Sequence, residues 1–528
     1  MDKMRIVTAA QMRVADQLAI TSGMSGFTLM DRAGLAVANA VLECMPDYGR
    51  VVIIAGGGNN GGDGFAAAYY LRQHRIPVTI VTLTPVDELT GETKAHADKA
   101  RTAGTKIREA CSEHCLAELW RWLTRAVIVV DAIFGTGLSR PLQGRMREVV
   151  DRLNQSDRPV LSIDIASGIC ADSGTVQGVA VRADYTLPIA ATKWGHWLNE
   201  GRDYTGELLN SADIGIEDAW IHSAWQQSCE HADEQNAFCV NSASVMHEGI
   251  LSRAWPCRQR LSHKGSYGHV WIFGGSQGFT GAPQLAGLGA YAAGAGLASI
   301  ACPDAVWPVI AAANVEVMAH PESTADWQNA SALVVGPGWG KAQGKRLSAM
   351  LAVDKAMVID ADALNIIAAN ESLQQQLGDR RTAMDCLTVI TPHPGEAARL
   401  LNMHVDAVQR DRKKSIMALT ARFGCWVVLK GSETLIASPS GDIYLNPFGS
   451  AQLAVAGSGD VLAGMIGAQL AREEIARADI ETVSPAVMIA AAVMLHGMAG
   501  ERSGWYLAGE LAKLVAGMRQ RIERAGKT

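Results

Sequence analysis

Short apolar runs that end in a polar, glycine-bearing loop and then yield to a helical pattern recur along this chain. No other feature constrains the fold as much, because strand–loop–helix alternation is the signature of a parallel sheet with helices packed on its faces. After two helical segments, Thr8–Thr21 and Thr28–Cys44, come the runs Val51–Ala55, Val78–Leu83, Ala126–Val130 and Pro159–Ile163. From about Glu217 to Val245 the alternation fails, and Trp, His, Ser, Cys, Asp and Gln mix without period. It resumes with His269–Phe273, Leu297–Ala301, Ala332–Val335, Ala356–Ile359, Thr388–Ile390 and Cys425–Leu429. Glu433–Ala437 and Ile443–Leu445 read as a hairpin, and long Ala- and Gly-rich helices follow Gly459 and Ser484. The expectation is two α/β domains, residues 4–220 and 246–525, with a linker over 221–245.

The 528 residues are ample for two cores, and 48% hydrophobic with 19% charged residues suits a globular chain. A net charge of −6 gives no footprint for nucleic acid or an anionic membrane. The segment Leu285–Cys302 approaches membrane-spanning length, but its glycines make it a buried helix running into a strand. Met1–Arg5 leads into alternating residues and not into an apolar leader, so a cytoplasmic protein is expected. The ten cysteines are scattered and read as reduced thiols; Cys111, His114 and Cys115 lack the second half of a zinc site.

In the first half, Val51–Ala55 runs into Gly56-Gly-Gly-Asn-Asn-Gly-Gly-Asp-Gly64 and then into a helix. Gly56, Gly58 and Gly61 satisfy G-x-G-x-x-G, which lets backbone amides approach phosphate at a helix start. The acidic residue that binds ribose in dinucleotide oxidoreductases is missing, since the next strand ends Val81-Thr-Leu-Thr84. Asn59, Asn60 and Asp63 exceed what a tight turn needs, although local caps and Asx-turns are their bland alternative. Two more strands end in polar loops, Asp131-Ala-Ile-Phe-Gly-Thr-Gly-Leu-Ser139 and Asp164-Ile-Ala-Ser-Gly168. Strand C-termini of an open parallel sheet face one crevice, so the three loops are expected to share a site.

These three motifs, in this order, resemble the N-terminal domain of bifunctional NAD(P)HX epimerase/dehydratase enzymes, a Rossmann-like fold. The resemblance implies that Asn59, Asn60, Gly61, Gly62 and Asp63 contact the hydrated nucleotide, as do Gly135, Thr136, Gly137, Leu138, Ser139, Arg140 and Pro141. It further implies K+ ligation by Asn60, Asp131 and Ser167, with Asp164 at the reacting nicotinamide. Ala166 and Trp194 stand where the family usually has proline.

In the second half, Val455-Ala-Gly-Ser-Gly-Asp460 enters a long helix. Gly457, Ser458 and Gly459 can aim amides at phosphate charge, and Asp460 follows, placed to take a proton from an attacking hydroxyl. Lys430 and Gly431 end a strand, and Thr391-Pro-His-Pro-Gly-Glu396 holds His393 rigidly after another. Together with HKGSYGHV, GGSQGFTGAP, VGPGWG, DADALN, LKGSET and AGSGDVLAG, these resemble ribokinase-like ADP-dependent NAD(P)HX dehydratases. The resemblance implies substrate contacts from Ala282, Gly338 and His393. It implies ADP binding by Lys430, Gly431, Ser432, Glu433, Thr434 and Gly459, and catalysis by Asp460 with Mg2+. Ser450 and Gln452-Leu453 depart from the usual Asn and Gly-Met.

The implied activity is repair of hydrated NAD(P)H: epimerisation of the R and S forms at C6, and ADP-dependent dehydration of the S form. A homo-oligomer with small-molecule substrates only is expected. The competing readings are a vitamin or sugar kinase of the same fold with an N-terminal regulatory module, and a binding scaffold. TPHPGEA and HKGSYG argue against the first; the retained Asp131 and Asp164 argue against the second.

Overall fold

The computed structural model describes residues 4–110, 119–138, 140–230, 240–383, 386–476, 483–502, 504 and 506–525. Ser139, Cys111, His114 and Cys115 lie outside these. The chain forms two compact units, Asp2–His231 and Ala232–Thr528.

The first unit is built on strands β1 (Ile6–Val7), β2 (Val51–Ala55), β3 (Val78–Thr82), β4 (Lys106–Glu109), β5 (Ile128–Ala132), β6 (Val160–Ile163), β7 (Tyr185–Leu187), β8 (Thr192–Lys193) and β9 (Glu207–Leu208). Seven of them form an all-parallel sheet in the order β4-β3-β2-β5-β6-β7-β9, and β1 pairs separately with β8. The runs β2, β3, β5 and β6 are buried along their whole length, which is why they read as mainly apolar runs and not as alternations. From β2 the chain steps one way through β3 and β4; from β5 it steps the other way through β6, β7 and β9. The β2/β5 boundary is therefore the topological switch point, where the loops after the two strands part and leave a crevice.

Helix Ala9–Thr21 begins at a capping box of Thr8 and Gln11, and Gly26–Cys44 at a Ser25 cap. Both were legible in the sequence. Within the linker expected over 221–245, the described residues are ordered into elements: Asp218–Glu230 is helix, and its Ile221, Ala224 and Trp225 pack on Met12 and Ala15. The tryptophans and small residues that broke the strand pattern belong to that packed face.

The second unit carries β10 (Ser242–Val245), β11 (His269–Phe273), β12 (Leu297–Cys302), β13 (Met318–Pro321), β14 (Ala332–Val335), β15 (Ala356–Ile359), β16 (Thr388–Ile390), β17 (Trp426–Leu429), β18 (Leu435–Ala437) and β19 (Asp442–Leu445). They form one sheet in the order β10-β19-β18-β17-β16-β15-β14-β11-β12-β13, parallel from β17 to β13, with the expected hairpin at β18/β19. β10, assigned to the linker by the sequence reading, instead pairs in parallel with β19 through Ser242↔Asp442 to Val245↔Leu445. The switch point here is β11/β14.

Helices Gly281–Ala293 and Ser458–Ala476 meet at backbone distance. A Cβ at Gly289 would stand 2.2 Å from the Val461 carbonyl oxygen, and one at Gly464 would stand 1.8 Å from that of Ala286. This contact explains the small-residue composition of both helices. Among the described residues no helix is long and apolar enough to cross a membrane. Cys44, Cys170, Cys257, Cys302, Cys386 and Cys425 are free thiols, whereas Cys229 is disulfide-bonded, against the expectation for it.

Candidate active sites at two switch points

In the first unit a cavity of about 510 Å³ opens at the β2/β5 switch point. Gly58, Asn59, Asn60 and Asp63 line it from one side; Phe134, Gly135, Thr136, Gly137 and Asp164 line it from the others. The loop glycines are fixed by close approach: a Cβ at Gly56 would meet the Ile133 carbonyl oxygen at 2.2 Å, and one at Gly61 would meet that of Gly56 at 2.0 Å. Helix Asn59–Gln73 starts at Gly58 with no side-chain cap, which leaves its first amides available to an anion. Gly61 and Gly62 pack behind the lining. Leu138 joins the neighbouring apolar cluster, while Arg140 and Pro141 are exposed and outside the cavity.

Asp131, next to last in β5, is fully buried. Ser162 Oγ donates to it at 2.9 Å, and Ser167 donates through its backbone amide at 2.9 Å and its hydroxyl at 2.6 Å. The Ile133 amide adds a fourth bond at 3.2 Å. Burial outweighs these bonds and raises the carboxyl's pKa. Asn60 is buried, with neither its amide nitrogen nor its oxygen hydrogen-bonded. Its Oδ1 and Asp164 Oδ2 each stand 3.2 Å from where a Gly135 Cβ would sit, so both face the same small space.

Asp164 adopts φ +67°, a left-handed conformation that a non-glycine residue takes only when its surroundings impose it. Three contacts do so. Its amide donates to Leu187 O at 2.8 Å, the Ile189 amide donates to its Oδ1 at 3.2 Å, and His196 Nε2 donates to its carbonyl at 2.7 Å. The His196 tautomer is fixed because its Nδ1 accepts the Lys193 amide at 3.0 Å. Burial first, then the Lys193 charge, depress His196 to about 4, so the ring is neutral. Lys193 is buried and pairs with Asp164 Oδ1; its remaining donors reach Ile189 O and Ala191 O, each at 2.9 Å. All three ammonium hydrogens are thus used, and Asp164 Oδ2 is left toward the cavity. In the sequence only Trp194 of this segment stood out; Lys193 and His196 carried no role there, and a lysine amid apolar residues was the available signal.

In the second unit the loops at the β11/β14 switch point interlock. The Gly275 amide donates to Pro337 O at 3.0 Å, and Ser276 Oγ donates to Gly338 O at 2.8 Å. Gly338, at φ +58°, lies against Ala282: a Cβ there would be 3.1 Å from Ala282 Cβ. The Gly340 amide donates to Asp362 Oδ2 at 2.8 Å, which ties this loop to the end of β15. A cavity of about 500 Å³ is lined by Lys430 to Thr434, Asn446 to Ala451, Ser458, Gly459 and His496.

Lys430 links the strand ends. Its ammonium lies 2.6 Å from Asp360 Oδ1 and 4.0 Å from Glu396 Oε2. Burial alone would favour the neutral amine, but Asp360 and Glu396 outweigh it and hold Lys430 charged, above its usual pKa. Asp360 is anchored by Thr391 Oγ1 at 2.8 Å. Glu396 accepts the His393 amide at 2.8 Å, and His393 Nε2 lies 3.3 Å from its other oxygen. Asp460 sits in the first turn of Ser458–Ala476. Burial, then Asp360, push its carboxyl up to about 7, against the opposing pull of Lys430. His196's counterpart here is His496, buried and neutral, at 3.0 Å from Ser458 O. Asp360, Glu396 and His496 carried no assigned role in the sequence reading, although the first two lie inside motifs it singled out.

Comparison with known proteins matches both units. A family profile described as NAD(P)H-hydrate dehydratase covers residues 270–506, and one described as YjeF-related protein N-terminus covers 26–195. The bifunctional NAD(P)H-hydrate repair enzyme Nnr of Coxiella burnetii is 32% identical over 503 residues, 93% of each chain. That of Escherichia coli is 31% identical over 491 residues, covering 91% of this chain and 85% of its own. A Bacillus subtilis ADP/ATP-dependent NAD(P)H-hydrate dehydratase co-crystallised with ATP/Mg2+ is 30% identical, with a TM-score of 0.45, over 52% of this chain and 98% of its own.

Proposed function

As the chain belongs to the bifunctional NAD(P)H-hydrate repair enzymes, we propose that its β2/β5 crevice is the epimerase site and its β11/β14 crevice the dehydratase site. A match that runs through both halves sets aside the kinase and scaffold readings.

In the dehydratase, Lys430, Gly431, Ser432, Glu433, Thr434 and Gly459 take the nucleotide, with Lys430 and the amides at the start of helix Ser458–Ala476 opposing phosphate charge. Ala282, Gly338 and His393 orient the hydrated nicotinamide. Asp460 takes the C6 hydroxyl proton as that oxygen attacks the terminal phosphorus of ADP, releasing AMP. Phosphate then departs with the C6–O electron pair, the N1 lone pair closes on C6, and loss of a C5 proton regenerates NAD(P)H. The observation that carries this assignment is geometric: Asp460 sits in the first turn of helix Ser458–Ala476, where a Cβ at Gly459 would stand 3.4 Å from Lys430 Nζ, and burial raises its carboxyl to about 7. Mg2+ takes one or two carboxylates together with phosphate oxygens, and Asp360 and Glu396 flanking Lys430 fit that chemistry. When bound it would neutralise phosphate charge.

In the epimerase, Asn59–Asp63 and Gly135–Gly137 would bind the nucleotide, with Asp164 Oδ2 at C6. Asn60, Asp131 and Ser167 would hold K+. The fit rests on the unmatched, buried Asn60 oxygen, which faces the same space as Asp164 Oδ2. Such an ion would add positive charge beside the substrate's phosphate.

The test is recovery of absorbance at ~340 nm from mixed NADHX epimers, with ADP or ATP and Mg2+. Full recovery in two phases, fast for the S epimer and slower for the R epimer, is expected. Recovery of about half, with no second phase, would remove the epimerase assignment; no recovery with either nucleotide would remove the dehydratase. Replacing K+ by Li+ is expected to slow only the second phase, and Asn60→Ala to abolish that ion's effect. An ion response unchanged in Asn60→Ala would overturn the K+ site.

A further inference from the structure

We propose that Asp16 is a second catalytic residue of the epimerase, exchanging protons with the substrate's C6 oxygen from helix Ala9–Thr21. The inference rests on the reading that places the epimerase in the β2/β5 crevice.

Asp16 lies in helix Ala9–Thr21, and its side chain lines the same cavity as Asp164, Asn59, Asn60 and Asp63. It stands one turn from Met12 and three residues before Ala19, both buried, so a carboxyl occupies the apolar face of the helix. A surface helix gains nothing from that placement. Among the described residues the carboxyl interacts with others only through burial and charge: Lys193 favours its ionised form and Asp164 opposes it. Lys193 has all three ammonium hydrogens engaged elsewhere, so it does not pair with Asp16. The result is a carboxyl aimed into a substrate-sized cavity with no structural partner.

The chemistry calls for two such groups. C6 of hydrated NAD(P)H bears a hydroxyl and is bonded to N1. Protonation of the hydroxyl lets water leave with the C6–O electrons while the N1 lone pair forms a C6=N1 iminium. Water then adds to the other face and gives up a proton, which restores the hydroxyl with inverted configuration. One group donates a proton and the other accepts one; the two swap protonation states each turnover and reset by exchange with solvent. Asp164, whose Oδ1 pairs with Lys193, presents Oδ2 as the acceptor. Asp16 is pushed up to about 6, chiefly by burial, and so keeps a protonated fraction near neutrality from which to donate. The charged groups around it are Asp63, Asp164 and Lys193 from the facing elements, with Glu92 on the rim and Arg13 on its own helix. Asp63 is raised well above its usual value by burial, then by Asp164 and Asp16.

The experiment follows interconversion of purified R- and S-NADHX by chromatography without nucleotide, in H2(18)O, for wild type, Asp16→Asn, Asp16→Glu and Asp164→Asn. The expected result is a fall in kcat of ~100-fold or more for Asp16→Asn, with KM within about three-fold and an unchanged melting transition. Asp16→Glu should restore part of kcat. Wild type should incorporate one label per turnover and slow above about pH 6, a limb that Asp16→Asn lacks. Asp16→Asn within five-fold of wild type, or turnover without label, overturns the proposal while an inactive Asp164→Asn leaves the site assignment standing. A fully active Asp164→Asn instead removes the site assignment itself.

Discussion

Asp460→Asn should leave the dehydratase without measurable turnover against a wild-type enzyme that regenerates NADH within minutes. Loss of a positioned base costs ~10²–10⁴-fold. Here the carboxyl also sits at the first turn of the helix whose amides face the phosphate, so the amide side chain changes both proton transfer and local charge. The substitution preserves shape and removes a charge from a crowded acidic cluster, so stability should hold or rise. Epimer interconversion by the same variant should match wild type, because the two units carry separate cavities. The pH dependence has a definite sign. Asp460 must be ionised to act, and burial with Asp360 pushes it up to about 7. Wild-type kcat/KM should therefore fall about ten-fold per unit below pH 7 and level off above it. Glu396, pushed up to about 7 chiefly by burial, titrates in the same range. A Glu396→Gln variant that keeps the acid limb assigns the limb to Asp460, and one that loses it assigns the limb to Glu396. Dehydratase activity of Asp460→Asn within ten-fold of wild type would end the base assignment.

Lys193→Met should be the most destabilising single change in the first unit. Among the described residues the ammonium is the only charged nitrogen bonded to Asp164, and both groups are nearly shielded from solvent, at 1% and 12% side-chain exposure. Removing one partner of a buried pair strands the other, at a cost of about 3–5 kcal/mol. The lysine also joins Asp164 to the Ile189 and Ala191 carbonyls, so its loss frees the strained Asp164 backbone. Epimerase activity should vanish while the dehydratase persists. Hydrogen exchange of peptides covering Val51–Ala55 reads the first unit alone, and it should accelerate by the factor that cost implies. The double variant Lys193→Met/Asp164→Asn should recover about half of the lost stability, because no charge is left unpaired. No recovery would mean that the lysine acts through packing and not through its charge.

The sequence was most legible where one segment supplies all the information. The buried strands β2, β3, β5 and β6, the two helices that open the first unit, and the helix start at Ser458 follow from local pattern. The edges were not legible: β4 is largely exposed and charged, β13 is irregular in burial, and β10 is a strand only because β19 offers it an edge. The same divide runs through the sites. Asn59, Asn60, Asp63, Asp131, Asp164, Lys430 and Asp460 lie in loops at strand ends or at helix starts, and glycine spacing marks them.

What the sequence alone determined, then, is two α/β units and the strand-end loops that carry the chemistry, because hydrophobic period and turn residues act over a few positions. Only the tertiary structure decided which of those loops meet, since β2 and β5, or β11 and β14, become neighbours through sheet order and not through sequence proximity. It alone brought Lys193 to Asp164 across 29 positions and Lys430 to Asp360 across 70. It also placed Asp16, on an otherwise ordinary helix, at the mouth of the same charge cluster. A carboxyl's protonation state depends on burial and on charges within a few ångströms, and neither quantity exists until the chain has folded.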